Sequence, residues 1–323
     1  FTLPESWPVV PWLIVMLTLT TVGYSLATVV HTSWGARLSN VPHERTRLFA
    51  AREGFGLLGV VLAAALPTVL APTLAEGLAR MGWIFLGLLI GFAALALIAN
   101  PTMQRNARTP GLRQMLRPLA NPAFARFVPG YLLNGVAAAL PATLVIFFID
   151  DVLQLASHSG LFLVIYFLSG ALGLPLWVRL AKRIGTLDAW LMSMGVSIAA
   201  FIGAFWLGEG DLVGYVLVCT ASGLALGADL ALPPALVADM IDADDHPQPG
   251  AYYGLMSFFA KLTLALAAGL ALPLLDLWGY TPGGDQLFAL SATYALLPIV
   301  MKLGALAWFW RARQISHTGV VPC

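Results

Sequence analysis

Charge is what this sequence has least of. Its 323 residues include 17 Lys or Arg and 16 Asp or Glu, so 10% are charged, where soluble domains average about 25%. That scarcity excludes an ordinary water-soluble domain. No basic tail or Arg-rich stripe is present, which excludes nucleic acid as a partner. Cysteine is nearly absent. Cys219 lies in an apolar run and Cys323 at the end, too few for a disulfide framework or a cysteine metal site. The histidines, His31, His43, His158, His246 and His317, are scattered without metal-ligand spacing, so a membrane metalloenzyme has no cluster to work with. Filter-like loops and ring-forming repeats are missing too, which removes the case for a channel.

What is present is apolar. Hydrophobic residues make up 59% and mean hydropathy is +0.84. Runs near twenty residues recur, and about twenty are needed to cross a hydrocarbon core of about 30 Å. The reading is an all-α polytopic membrane protein with helices near 9–34, 49–71, 77–99, 127–149, 158–179, 187–207, 212–238, 252–275 and 286–310. Trp7, Trp12, Trp83, Trp308 and Trp310 fall near span ends, as an interfacial belt requires.

Basic residues set the expected orientation, because Lys and Arg near span ends stay cytoplasmic. Arg37, Arg45, Arg47 and Arg52, then Arg105 to Arg126, then Arg179, Lys182 and Arg183, then Arg311 and Arg313 all mark one face. They are 14 of the 17 basic residues. The alternate connections carry acids. This places the C-terminus inside, in the cell membrane. Nine spans then put Phe1 outside, and Phe1 is neither a Met nor followed by a signal-peptide n-region. The acid-free stretch 100–126 separates three spans from six. We therefore expect a partial N-terminal bundle over 1–99, a central loop over 100–126, a six-helix bundle over 127–313 and a tail over 314–323. Three spans of a twelve-helix, six-plus-six parent are expected to be missing.

Polar groups inside the spans mark candidate function, since a charge at mid-bilayer costs a few kcal/mol and normally faces water or a partner. Asp229 lies near the middle of its span and Lys261 about ten residues into the next, so the two are expected to pair. The pair reads either as cavity-lining or as a packing ion pair. Asp239, Asp242, Asp244 and Asp245 crowd the end of the same helix, where a carboxylate opposes the helix dipole. They are expected to form a gating charge network with Arg179, Lys182 and Arg183. Arg52 with Glu53 opens a span, and Asn134 sits one turn into another. Lys302 is also intramembrane and has no assignment. Pro141, Pro175, Pro233–Pro234 and Pro273 mark expected kinks, with the double proline as hinge.

Several stretches carry a family resemblance. "LPLWVRLAKRIGT" (174–186) resembles the loop motif L-A-D-R-x-G of the major facilitator superfamily, with Lys182 where the motif has Asp. "HTSWGARLSNVPHERTRLFAAREGFGLLG" (31–59), "YLLNGVAAALPATLVIFFIDDVL" (131–153) and "LPPALVADMIDADD" (232–245) resemble the glycoside-pentoside-hexuronide:cation symporters, the melibiose permease family. The resemblance falls in order onto that family's helices four to twelve. It implies the major facilitator fold and places sugar- or cation-site positions at Tyr24, Thr28, Thr32, Arg52, Asn134 and Lys261. The family's acidic string on helix ten falls on Asp239, Asp242 and Asp245. The family's helix-four acid is Thr28 here, which weakens the case for sodium.

The resemblance implies a secondary transporter that moves a glycoside or similar small polar solute by alternating access. No cofactor is implied beyond a coupling ion, Na+ or H+. A lipid-like or amphipathic solute is the alternative, and a non-transporting membrane protein a third reading.

Overall fold

The structure, a computed structural model, describes residues 8–39, 41–99, 111–245, 247–284 and 286–317. Among these are nine helices long and apolar enough to cross a membrane, and no strand. They are α1 (Val9–Gly35), α2 (Pro42–Leu70), α3 (Leu74–Ala99), α4 (Pro122–Phe147), α5 (Ser159–Ile184), α6 (Thr186–Phe205), α7 (Leu212–Asp242) and α8 (Pro249–Leu277). The ninth, α9, begins as Leu287–Ser291, passes through a wide π turn at Ala292–Leu296 and continues as Leu297–His317. A second π turn, Phe148–Val152, ends α4.

Helix ends extend beyond the apolar runs where local chemistry allows. The polar stretch Pro42 to Leu48 has no hydropathy signal, yet α2 starts at Pro42, with the proline in the first turn where its missing N–H costs nothing. Likewise α4 starts at Pro122, capped by Asn121, whose Oδ1 accepts from the Ala123 amide at 2.9 Å. Gly185, at φ 96°, alone separates α5 from α6, a backbone that favours glycine. The helices run unbroken through Pro141, Pro175, Pro233, Pro234 and Pro273. Because proline has no N–H, Pro233 and Pro234 withdraw the usual donors from the Asp229 and Leu230 carbonyls.

The most extensive seam joins α5 to α7. A Cβ on Gly223 would lie 2.3 Å from the Tyr166 carbonyl oxygen, and one on Gly227 2.5 Å from that of Gly170. Only glycine permits this approach, the device by which membrane helices pack without a hydrophobic drive between them. Around this seam α7 also meets α6 and α2, while α4 packs on α8 and α9, α1 on α8, and α3 on α2. About half of the most apolar window of α4, α7 and α9 is buried, and none of that of α1 or α3.

The two membrane faces differ. On one, α2 begins and α7 ends in charge. On the other, Asp151 at the end of α4 accepts from the Tyr280 hydroxyl and, at 3.0 Å, from the Gly283 amide, tying down the α8–α9 connection. Burial, followed by this bond to a carboxylate, holds the Tyr280 hydroxyl well above the usual tyrosine range.

Candidate functional site

Tyr215, Cys219, Ser222, Leu226 and Asp229 recur every three or four residues along α7, so they share one face. That face is a wall of a cavity of about 160 Å³. Pro141 and Val145 of α4, Phe162 and Tyr166 of α5, and Tyr294 and Lys302 of α9 contribute other parts of the wall. Aliphatic and aromatic groups dominate the surface. At one end the Tyr215 and Tyr294 hydroxyls bond at 2.8 Å, and Phe148 stacks on Tyr294 with centroids 4.1 Å apart.

At the other end Asp229 is held by three helices. Its Oδ1 accepts from Trp190 Nε1 of α6 at 2.7 Å and from Asn134 Nδ2 of α4 at 2.9 Å. Its Oδ2 lies 3.4 Å from Lys302 Nζ of α9, and the same ammonium donates to Asn134 Oδ1 at 2.7 Å. Lys302 is 2% exposed and Asp229 14%. A buried ammonium is tolerated here because its charge is matched and its protons have acceptors. The three polar groups that contact the carboxylate, from Asn134, Trp190 and Lys302, are all N–H donors.

The expected Asp229–Lys261 pair is not formed. Lys261 is half-buried and donates at 3.0 Å to Ser257, one turn back on its own helix. The partner of Asp229 is Lys302, because α9 and not the sequence-adjacent α8 brings an ammonium to its depth. Asn134 and Asp229, both candidates from sequence, do come together. Tyr24 does not join them: it is 68% exposed on α1. Thr28 is half-buried and its carbonyl accepts from the buried Thr32 hydroxyl at 2.7 Å. Arg52 pairs with the adjacent Glu53 at 2.7 Å.

A second cluster lies where α2 begins and α7 ends. Arg45, 1% exposed, bonds to Asp242, with Asp239 at 3.6 Å, and its Nε donates to the Ser39 carbonyl at 2.6 Å. Arg179, Lys182 and Arg183 were the partners expected for these acids. They lie exposed at the end of α5, and Asp239 and Asp242 turn to Arg45 instead, since α2 packs directly against α7 there. Asp245 is exposed. Asp244 accepts from the Tyr252 hydroxyl at 2.8 Å, and Tyr252 in turn accepts from the cap residue Asn121 at 2.7 Å.

Comparison with known proteins agrees with this architecture. A family described as MFS/sugar transport protein matches residues 1–315. The chain belongs to that family. Among curated relatives of this MFS protein, the human sodium-dependent lysophosphatidylcholine symporter 1 is 26% identical over 198 residues, 58% of this chain and 36% of that protein. An uncharacterised symporter of Synechocystis is 23% identical over 238 residues, 68% of this chain and 44% of that one. The match thus spans well under half the length of these relatives. Of solved structures, a bacterial homologue of the iron transporter ferroportin, in an outward-facing state, superposes with TM-score 0.65 at 18% identity, covering 90% of this chain and 70% of that one. The E. coli fucose:proton symporter superposes with TM-score 0.61 at 12% identity, over 86% and 73%. These neighbours show the major facilitator fold for this chain.

Sequence reasoning missed three members of these clusters. Lys302 was visible as a charge within a span, but nothing in the sequence named its partner. Trp190 carried no signal, because a tryptophan near a span end reads as interfacial. Arg45 was counted only for orientation; its proximity to Pro42 hid that it lies on a helix packed into the protein.

Proposed function

We propose that this MFS protein is a secondary active transporter that alternates access to the cavity bordered by Asp229 and Lys302, and that its solute is amphipathic. The buried Asp229–Lys302–Asn134–Trp190 cluster on a cavity wall carries the reading. A matched charge pair inside membrane-spanning helices is costly to keep and contributes little to stability relative to apolar packing, whereas at a solute chamber it supplies recognition. The largely aliphatic and aromatic wall favours a solute with an apolar body. The similarity to a symporter of lysophosphatidylcholine points the same way.

A sugar is the second reading. It is supported by the family description, by the fucose:proton symporter fold, by the resemblance to glycoside symporters and by the hydroxyls of Tyr166, Ser197, Tyr215 and Ser222 on the wall. Sodium fits poorly at Asp229, whose oxygens face N–H donors and an ammonium rather than other oxygens.

In this carrier the Arg45–Asp239–Asp242 cluster acts as a gate at the Arg-rich face, which is cytoplasmic with the C-terminus. The open faces of α1 and α3 are where three further helices of a six-plus-six carrier would seat. Tyr24, Thr28, Thr32, Arg52 and Lys261 contribute from the α1, α2 and α8 side, with Lys261 as a charge free to meet solute. Asp245, Arg179, Lys182 and Arg183 add to the cytoplasmic charge network.

The test is uptake into proteoliposomes, comparing a lysophospholipid, an alkyl glycoside and free hexoses under sodium and proton gradients applied separately. Concentrative uptake of an amphiphile, lost in Asp229→Asn, is the expected result. Uptake of hexose alone selects the sugar reading, and no concentrative uptake of any solute defeats the carrier reading.

A further inference from the structure

We infer that the solute's polar end is a cation of the ammonium type, seated on Asp229 in competition with Lys302. The inference rests on the reading of the cavity as a carrier's solute chamber. Asp229 and Lys302 are its charged wall groups, and they are not offered equally. The Asp229 side chain keeps 14% of its surface exposed and the Lys302 side chain 2%. Lys302 is drawn back toward Asn134 Oδ1, at 2.7 Å, and stands off from Asp229 Oδ2 at 3.4 Å. An entering head group therefore meets a negative edge first. An anionic head would have to pass that carboxylate to reach the ammonium behind it.

The rest of the wall suits the same chemistry. Phe162, Tyr166, Phe167, Phe201, Tyr215 and Tyr294 line the cavity. Aromatic faces attract an ammonium through their quadrupole, and a quaternary ammonium most readily, because it gives up its hydration cheaply. The same rings cover an alkyl body. From Tyr215 to Asp229 the α7 stripe extends about 21 Å at the helical rise, room for a chain of several carbons behind the head. Lys302 is then a tethered surrogate for the solute: it neutralises Asp229 when the chamber is empty and yields when a better-placed cation arrives.

The surrogate relation gives opposite signs for two variants. In protein reconstituted in lipid nanodiscs, titration with octyltrimethylammonium, octyl sulfonate and octyl glucoside compares three heads on one tail. The ammonium is expected to bind at least tenfold tighter than either other head. Asp229→Asn should weaken it tenfold or more, and Lys302→Gln should strengthen it severalfold by removing the competitor. Tyr166→Leu, which leaves the ion pair intact, should weaken it severalfold. The head-group series on the unmutated protein stands even where a variant does not fold. Tightest binding of the sulfonate, with the variant signs reversed, overturns the proposal. Tightest binding of the glucoside overturns it too while leaving the carrier reading in place. Binding of none of the three overturns it together with the amphipathic solute, while hexose uptake in proteoliposomes then decides the carrier reading separately.

Discussion

Arg45 of α2 and Asp242 of α7 are joined by an ion pair although 197 positions separate them in the chain. The guanidinium is buried while the carboxylate is half-exposed, so the two sides of the bond do not respond alike to mutation. Asp242→Asn should cost only about 1 kcal/mol, as for an exposed ion pair, because Asp239 remains 3.6 Å from the same arginine. Replacing both acids should cost about 3–5 kcal/mol, by leaving a buried charge uncompensated. Thermal unfolding in detergent measures both. The double variant should also open the Arg-rich face, read as faster labelling of a cysteine placed at Ala36 by a membrane-impermeant maleimide. Equal costs for single and double variants would show that Asp239 takes no part.

The Asp229–Lys302 pair is suited to a double-mutant cycle. Lys302→Met alone strands a carboxylate and should destabilise the protein by about 3–5 kcal/mol. Asp229→Asn with Lys302→Met should recover part of that loss, with a coupling energy of about 1–3 kcal/mol. Additive costs would mean that the two charges do not sense each other.

At the α5–α7 seam the limit is steric. Gly223→Ala puts a methyl 2.3 Å from the Tyr166 carbonyl oxygen, a backbone atom that cannot step aside. The helices must separate, at an expected cost of about 1–3 kcal/mol. Gly195→Ala, on a helix surface with open space around it, should be neutral or better. Monodispersity and melting temperature of the two variants compare them directly.

The clasp at the opposite face carries a pH signature. The Tyr280 hydroxyl has its pKa raised in the folded protein, by burial first and then by its bond to Asp151. A group whose folded value lies above its unfolded value, here about 10, stabilises fully below that unfolded value. The contribution is then lost as pH rises further toward the folded one. The melting temperature of the native protein should therefore fall more steeply above pH 10 than that of Tyr280→Phe. At neutral pH the variant should be less stable by about 1.5–3 kcal/mol, the worth of a hydrogen bond to a charged acceptor. Parallel pH curves would remove Tyr280 from the clasp.

The spans were legible because hydrocarbon imposes one condition on twenty consecutive residues, which composition reports directly. Depth was legible as well: Asp229, Lys261 and Lys302 all announce themselves as charges within spans. What was hidden is the angle around each helix and which helix stands next to which. Adjacency in sequence suggested Lys261 as the partner of Asp229, yet α7 packs mainly against α5 and α6 and meets an ammonium from α9. For the same reason Arg45, on a polar stretch that hydropathy reads as loop, turned out to hold two acids of α7. The apolar cavity wall was hidden too, since Phe162 or Tyr294 in a membrane span looks like any lipid-facing aromatic.

The wide turn at Ala292–Leu296 has one more consequence. A π turn accommodates one residue beyond the α repeat, and each residue turns a helix by about 100°. The segment after Leu296 is thus set in phase by a single inserted position, as a gear is timed by one tooth. Deleting that position would leave every side chain of Leu297–His317 chemically intact and still swing Lys302 away from its carboxylate. Length at that turn therefore matters to the buried ion pair as much as the identity of the charged residues it aligns.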